Sequence, residues 1–209
     1  MNKKTWSALT LLSTLAFVSM PSYSTIIGFE GLTANSDSFA NLGIKNTYFG
    51  HQWTASNSNQ QPTEWGAAEL LGDNVNAFAG SGYAWTFNGA QSMFIDFGTA
   101  QNVNGVMAAG QFAGSNASTL QMFGYDSSNN LIGSSGTLNL ALGQWQFLSG
   151  GTLAGLAVSR LELRSDAPTK WFALDNLDIN NVAQVPAPGT IALLGLGLIG
   201  FGLARRKKL

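Results

Sequence analysis

The chain of 209 residues has no cysteine and one histidine, His51. Without cysteine there is no disulfide staple, no thiolate nucleophile and no cysteine-type zinc site. A zinc centre or a serine–histidine arrangement has only His51 to use. That residue sits beside Gln52 and Trp53 on an expected strand with no ligand-like neighbour, and reads as structural or surface histidine. Charge is scarce: Asp, Glu, Lys and Arg make up 10% of the chain. No internal repeat stands out. No glycine-rich phosphate loop is present, because the glycines punctuate strands and do not open a helix. Asp126, Ser127, Ser128, Asn129 and Asn130 lack the central Gly and the later Glu of an EF-hand loop.

What charge there is lies unevenly. Six of the ten basic residues sit at the ends: Lys3, Lys4, Arg205, Arg206, Lys207 and Lys208. All eleven acids lie between, with only Lys45, Arg160, Arg164 and Lys170 against them, a net charge of −7 for that body. Such a balance disfavours nucleic acid and anionic membrane surfaces as partners. It is compatible with neutral glycans and bound cations.

The N-terminus has the order of a secretory signal peptide. Lys3 and Lys4 precede an apolar stretch over 6–18, and Ser22, Tyr23 and Ser24 precede an expected cut after residue 24. Export without disulfides leaves stability to the core, with a metal ion as a further source.

The C-terminus has three parts in direct succession. Val185, Pro186, Ala187 and Pro188 form a Pro-x-Pro step. An uncharged stretch rich in Gly, Leu, Ile and Ala covers 189–204, and the cations Arg205, Arg206, Lys207 and Lys208 follow. The prolines suit the start of a helix. About 16 helical residues span roughly 24 Å, short for a bilayer but sufficient for a thin one. The cations are expected to stay on the cytoplasmic side as a basic anchor. A buried helix of a soluble domain, the other reading of this stretch, rarely carries so many glycines and ends in bare cations.

This tail resembles the PEP-CTERM sorting signal of Gram-negative bacteria, with Ala187 where that family most often has Glu. The resemblance implies processing by an exosortase, a membrane protease-transpeptidase. It also implies transient inner-membrane anchoring and then a place at the cell surface or in the extracellular matrix. The expected organisation is signal peptide 1–24, body 25–180, linker and sorting motif 181–188, and transmembrane helix with basic tail 189–209.

The body reads as all-β. Short apolar–polar or aromatic and β-branched runs are expected as strands over 25–31, 47–54, 83–87, 92–97, 103–111, 119–125, 130–134, 144–148, 158–164 and 171–179. Clusters of Asn, Asp, Ser and Gly punctuate them. Asn88 and Gly89 predict a two-residue hairpin. Leu161, Glu162, Leu163 and Arg164 alternate one face in and one face out. Only 65–71 has a helical look. This spacing predicts a two-sheet antiparallel sandwich.

Ile27, Gly28, Phe29, Glu30, Gly31 and Leu32 on the first strand resemble jelly-roll carbohydrate-binding modules. So do residues 171–177 on the last, Trp171, Phe172, Ala173, Leu174, Asp175, Asn176 and Leu177. The resemblance implies that these strands are neighbours and that an acid on each holds a structural calcium ion. Calcium takes six to eight hard oxygen ligands. Glu30 and Asp175, beside the segment 33–38 with Asp37 as a third ligand, are the candidate set. The alternative is surface acids that never meet.

Five tryptophans remain in the body: Trp53, Trp65, Trp85, Trp145 and Trp171. Trp53 and Trp65 flank the polar segment 55–61 and are the candidates for stacking on sugar rings, with core packing as the competing role. Acid pairs for glycoside cleavage are Glu64 with Glu69 and Glu162 with Asp166. None lies in the Glu-x-Asp-x-x-Glu strand pattern of sandwich glycosidases. The reading is an exported, non-enzymatic surface or matrix protein that binds or organises extracellular polysaccharide. A structural adhesin with protein partners is the alternative, and a glycan-active hydrolase a more distant one.

Overall fold

Alternating side chains build the body. A computed structural model of the chain describes residues 24–30, 41–43, 45–63, 65–67, 77–86, 90–110, 117–166 and 171–181. In β13 (Val158–Ser165), Leu161 and Leu163 are fully buried while Arg164 faces outward. In β9 (Thr119–Tyr125), Leu120 and Met122 point in and Gln121, Phe123 and Tyr125 are half-buried on the other side. Period-two patterning of this kind fixes one face toward a core.

Fourteen strands lie among the described residues, and every strand pair is antiparallel. One layer runs β10 (Leu131–Ser134), β9, β13, the first part of β8 (Ser92–Gly110) and β4 (His51–Ser56). Its β4 edge carries β3 (Lys45–Tyr48) and β5 (Pro62–Thr63), and β11 (Leu138–Asn139) extends β9. The other layer runs β12 (Gln146–Ser149), the second part of β8, β14 (Phe172–Asn181), β7 (Ala84–Thr86), β6 (Trp65–Ala67) and β2 (Asn41–Gly43). There β1 (Ser24–Ile27) pairs with β14, so the first and last strands are neighbours. Ser24, the last residue of the expected signal peptide, is already paired with Asn180.

The strand β8 belongs to both layers. Residues 92–96 pair with β4 and β13, and residues 101–110 pair with β14. The register with β13 jumps from Gln101 to Asp96, which leaves 97–100 as a bulged corner. Strands that switch sheets commonly do so through bulges. The two strands expected over 92–97 and 103–111 are therefore one strand, and Gly98 and Thr99 at the corner are exposed. The layers meet through aromatic side chains. Trp53 of β4 stacks on Trp65 of β6 with centroids 5.4 Å apart, and Phe29 meets Trp53 edge-on at 5.5 Å. Each such contact contributes about 1 kcal/mol beyond the area buried.

Three local expectations are corrected. The run 47–54 is a hairpin, because Phe49 (φ 55°) and Gly50 (φ 77°) turn the chain between paired Tyr48 and His51. Two positive φ values in a two-residue loop match the twist of the flanking strands. Asn88 and Gly89 lie outside the described residues, but their flanking strands do not pair with each other. β7 lies in one layer and the start of β8 in the other. Residues 65–67 are strand, not helix, and 68–71 lie outside the described residues. The one helical piece described is the single turn Gly151–Leu153.

Candidate functional site

The outer face of the β9–β13–β8–β4 layer carries three polar and aromatic rows, set by strand register. Gln121, Arg164, Ser92 and Ser56 form the first; Phe123, Glu162, Phe94 and Thr54 the second; Tyr125, Arg160, Asp96 and Gln52 the third. Glu162 is the centre. Its side chain is 1% exposed although it points away from the core. One oxygen accepts from Ser92 Oγ (2.8 Å) and Arg164 Nε (2.7 Å), the other from the Tyr125 hydroxyl (2.7 Å) and Arg164 Nη2 (2.7 Å). Burial pushes the Glu162 carboxyl up, but the bonds from Arg164, Tyr125 and Ser92 outweigh it and hold it below its ordinary value. Burial, and then donation to that carboxylate, push the Tyr125 hydroxyl up to about 12.

Aromatic rings set the arginines in place. Arg164 lies over Phe123, 4.6 Å from the ring centroid, and Arg160 over Phe94 at 5.8 Å. Arg160 forks onto Asp96, with Nη2 to Oδ2 at 3.1 Å, and its Nη1 reaches Asn129 Oδ1 at 3.3 Å. Above these groups is a cleft of about 400 Å³, with Thr54, Gln60, Phe94, Tyr125 and Arg164 among its walls. A second hollow shares Arg160 and Asn129 with it, so the trough continues toward Asp126.

Two turns of the same build rim the cleft. Asn57 Oδ1 accepts the backbone N–H groups of Asn59 and Gln61, and Asp126 Oδ1 those of Ser128 and Asn130. The fourth residue of each turn, Gln60 (φ 60°) and Asn129 (φ 63°), is left-handed. The side-chain and backbone bonds from Asn130 hold the Asp126 carboxyl below its usual value. A short polar side chain that bonds its own backbone makes a rigid loop.

The opposite layer carries the candidate metal acids. Asp175 on β14 is fully buried and accepts the N–H of Ala79 (3.0 Å) and of Asn176 (2.7 Å). Exposed Glu30 accepts from Ser81 N (2.9 Å) and Ser81 Oγ (3.2 Å). Glu30, just past β1, and Asp175, inside β14, thus grip one loop, 78–81, from two sides. The positive φ of Gly80 (61°) favours glycine there, and a Cβ would displace the Glu30 carboxylate. Phe78 and Tyr83 pack on Trp145 over this layer, at 6.2 and 5.9 Å. Burial pushes the Asp175 carboxyl up and Glu30 adds to it, against the three backbone N–H groups that donate. Burial, then Glu30 and Asp175, also push the Tyr48 hydroxyl up. Asp37 lies outside the described residues. Among the described residues no group of three or more acids or histidines could hold a metal ion.

Other expectations are redirected. Trp53 and Trp65 are 0% exposed and stacked together, so they are core and present no face to a ligand. The segment between them folds on itself through Asn57. Trp85 is buried on the other layer's outer side, while Trp145 and Trp171 are half-buried. His51 packs edge-on against Phe97 at 5.0 Å, and burial pushes its imidazole below the ordinary value. Asp166 accepts from Ser118 and Thr119 N–H and shares no bond with Glu162. Glu64, Glu69, Val185, Pro186, Ala187, Pro188, Arg205, Arg206, Lys207 and Lys208 lie outside the described residues, as do residues 1–23. Among the described residues no helix is long and apolar enough to cross a membrane. The sequence pattern marked Glu162 and Arg164 as outward-facing. It did not bring Tyr125, Ser92 and Phe94 to them.

Comparison with known proteins gives one match in sequence. Residues 184–207 match the PEP-CTERM protein-sorting motif, and the chain carries that motif. No curated protein matches the chain. Among solved structures, the chain is similar to an adhesin domain of Lys-gingipain from Porphyromonas gingivalis. That pair shows a TM-score of 0.42 and 12% identity over 76% of this chain and 98% of that one. It is similar to a family 29 carbohydrate-binding module, with a TM-score of 0.36 and 11% identity over 80% and 100% of the two chains. A family 22 carbohydrate-binding module of Clostridium thermocellum gives a TM-score of 0.36 and 14% identity over 78% and 96%.

Proposed function

We propose that the protein is an exported, non-enzymatic surface or matrix protein that binds extracellular polysaccharide through the cleft beside Glu162. Its tail would anchor it briefly in the inner membrane of a Gram-negative cell and present it to an exosortase-type protease. The sorting motif at 184–207 supports the second half of this reading. The observation that carries the first half is the cleft. It is walled by Phe94 and Tyr125 and is of about 400 Å³, within the range of about 300–1,000 Å³ for small-ligand sites. A glycoside hydrolase needs two uncommitted carboxyl groups about 5–9 Å apart. Glu162 is bound on both oxygens and Asp96 is paired with Arg160, which favours binding over cleavage.

Calcium is the proposed partner of Glu30 and Asp175. Both are hard oxygen donors at the two ends of one loop, and among the described residues Asp175 is a buried carboxylate without a cation beside it. Asp37 and backbone carbonyls would complete the set. The ion would hold the loop 78–81 and the strand ends, and so stabilise the body.

The first test is electrophoresis of residues 25–184 through gels that contain the host's own exopolysaccharide, with calcium and with chelator. Retardation in calcium that chelator weakens is the expected result. No retardation with the fold intact would shift the reading to a structural adhesin. The sorting half has its own test in the host. Removal of residues 205–208 is expected to abolish membrane retention before processing, and unchanged processing would contradict it.

A further inference from the structure

At the cleft beside Glu162 the carboxylates already accept bonds from within the protein, while two donors are uncommitted. All four bonds to the Glu162 carboxylate come from within the protein. Both Asp96 oxygens receive Arg160, and Asp126 is bound by its own turn. On the donor side, Arg164 uses Nε and Nη2 for Glu162, and among the described residues its Nη1 has no acceptor. Ser56 also lines the cleft. It is 6% exposed and its hydroxyl has no partner among the described residues.

Local charge points the same way, against the body's net of −7. The body has four basic residues against eleven acids. Two of the four, Arg160 and Arg164, stand on one side of β13 at this cleft, with side chains 40% and 41% exposed. Glu162 lies beneath at 1% and Asp96 beside at 34%. The cations therefore meet solvent more than their counter-charges do. Phe123 and Phe94 lie against the guanidinium groups. A guanidinium that gives one edge to a carboxylate keeps a second edge with the same fork geometry.

We propose that this cleft recognises the carboxylate of a uronic acid unit, so that the bound polysaccharide is an acidic one. The inference rests on the polysaccharide reading above and names its substrate class. Arg164 Nη1 and the Ser56 hydroxyl donate to the sugar carboxylate, and Arg160 supplies the neighbouring charge. A neutral chain offers hydroxyl pairs that engage a donor and an acceptor together, and here the Glu162 carboxylate has all four of its acceptor sites filled.

The test is calorimetric titration of the full chain in a mild non-ionic detergent. The probes are oligogalacturonate, oligoguluronate, the methyl ester of the oligogalacturonate, and neutral gluco- and manno-oligosaccharides. At least one acidic oligomer is expected to bind. Oligogalacturonate is expected to exceed its ester by about tenfold, the worth of one charge-assisted hydrogen bond, and to weaken as salt is raised. Ser56→Ala is expected to keep the melting temperature and lower acidic-oligomer affinity several-fold, by roughly the worth of one hydrogen bond. Arg164→Lys, read beside its melting curve, removes the fork and keeps the charge.

An ester that binds as well as the acid overturns the inference. So does unchanged affinity in Ser56→Ala, which would put the sugar elsewhere. Neutral oligomers that bind while acidic ones do not would also overturn it, yet leave the polysaccharide reading standing. Silence from every glycan with the fold intact defeats both.

Discussion

Among the described residues each layer of the body buries one carboxylate, and the two are held in opposite ways. Glu162 lies under the outer face of one layer with a guanidinium, a phenol and a hydroxyl on it. Asp175 lies under the outer side of the other with backbone N–H groups and a second acid nearby. The first is held below its ordinary pKa and the second above it. Burial raises both, so partners alone make the difference. One site is electrostatically complete, and the other favours a proton or a cation.

The largest effect is expected from removing the partner that completes Glu162. Arg164→Ala leaves a buried charge with two neutral donors. A fully buried pair broken in this way costs about 3–5 kcal/mol, and the exposure of Arg164 lowers the expectation to about 2–3 kcal/mol by urea denaturation. Glu162→Gln in the same chain is expected to recover part of the loss. A loss below about 1 kcal/mol would mean that the pair contributes as little as a surface one.

The opposite site is expected to answer with the opposite sign. In chelator, Asp175→Asn is expected to keep or raise stability at neutral pH, within about 1 kcal/mol. In calcium, the same variant is expected to lose any rise in melting temperature that the ion gives the parent. The pH slopes separate the groups as well. Asp175 has a folded pKa above its ordinary 3.8, so its contribution is complete below that value and declines as pH rises through the folded pKa. Glu162 is depressed from 4.5, so its contribution is complete above that value and lost as pH falls through the folded pKa. Thermal melts of Asp175→Asn and Glu162→Gln across pH 3–7 test both signs. Parallel curves would erase the contrast.

A modest effect is expected from a control that touches neither carboxylate. Asn57→Ala removes the side-chain oxygen that ties its turn together and is expected to cost about 1 kcal/mol, or ~3 °C in melting temperature. A larger loss would show that the rim supports the cleft floor.

Much of the architecture was legible because strand alternation is local. Leu161, Glu162, Leu163 and Arg164 announced their faces, and the acids near the two strand ends met at one loop. What stayed hidden is set by pairing register, which no local pattern encodes. Tyr125 and Ser92 reach Glu162 from β9 and β8, at sequence separations of 37 and 70. Trp53 and Trp65 looked like platforms because a polar segment joins them, yet that segment is satisfied by Asn57. Phe49 hid a turn, since a bulky aromatic at positive φ is uncommon. The corner at 97–100 looked like a break between strands because a bulge and a loop share small and polar residues.

That corner also settles how the body transmits load. The last described residue, Asn181, lies opposite Gln101, at the edge of the bulge. Tension on the chain beyond it therefore enters where the two layers join. From there a single covalent backbone leads through β8 to Asp96 and Phe94, beneath the cleft. The two layers share this one covalent strand, so they cannot part by the slippage of side chains alone.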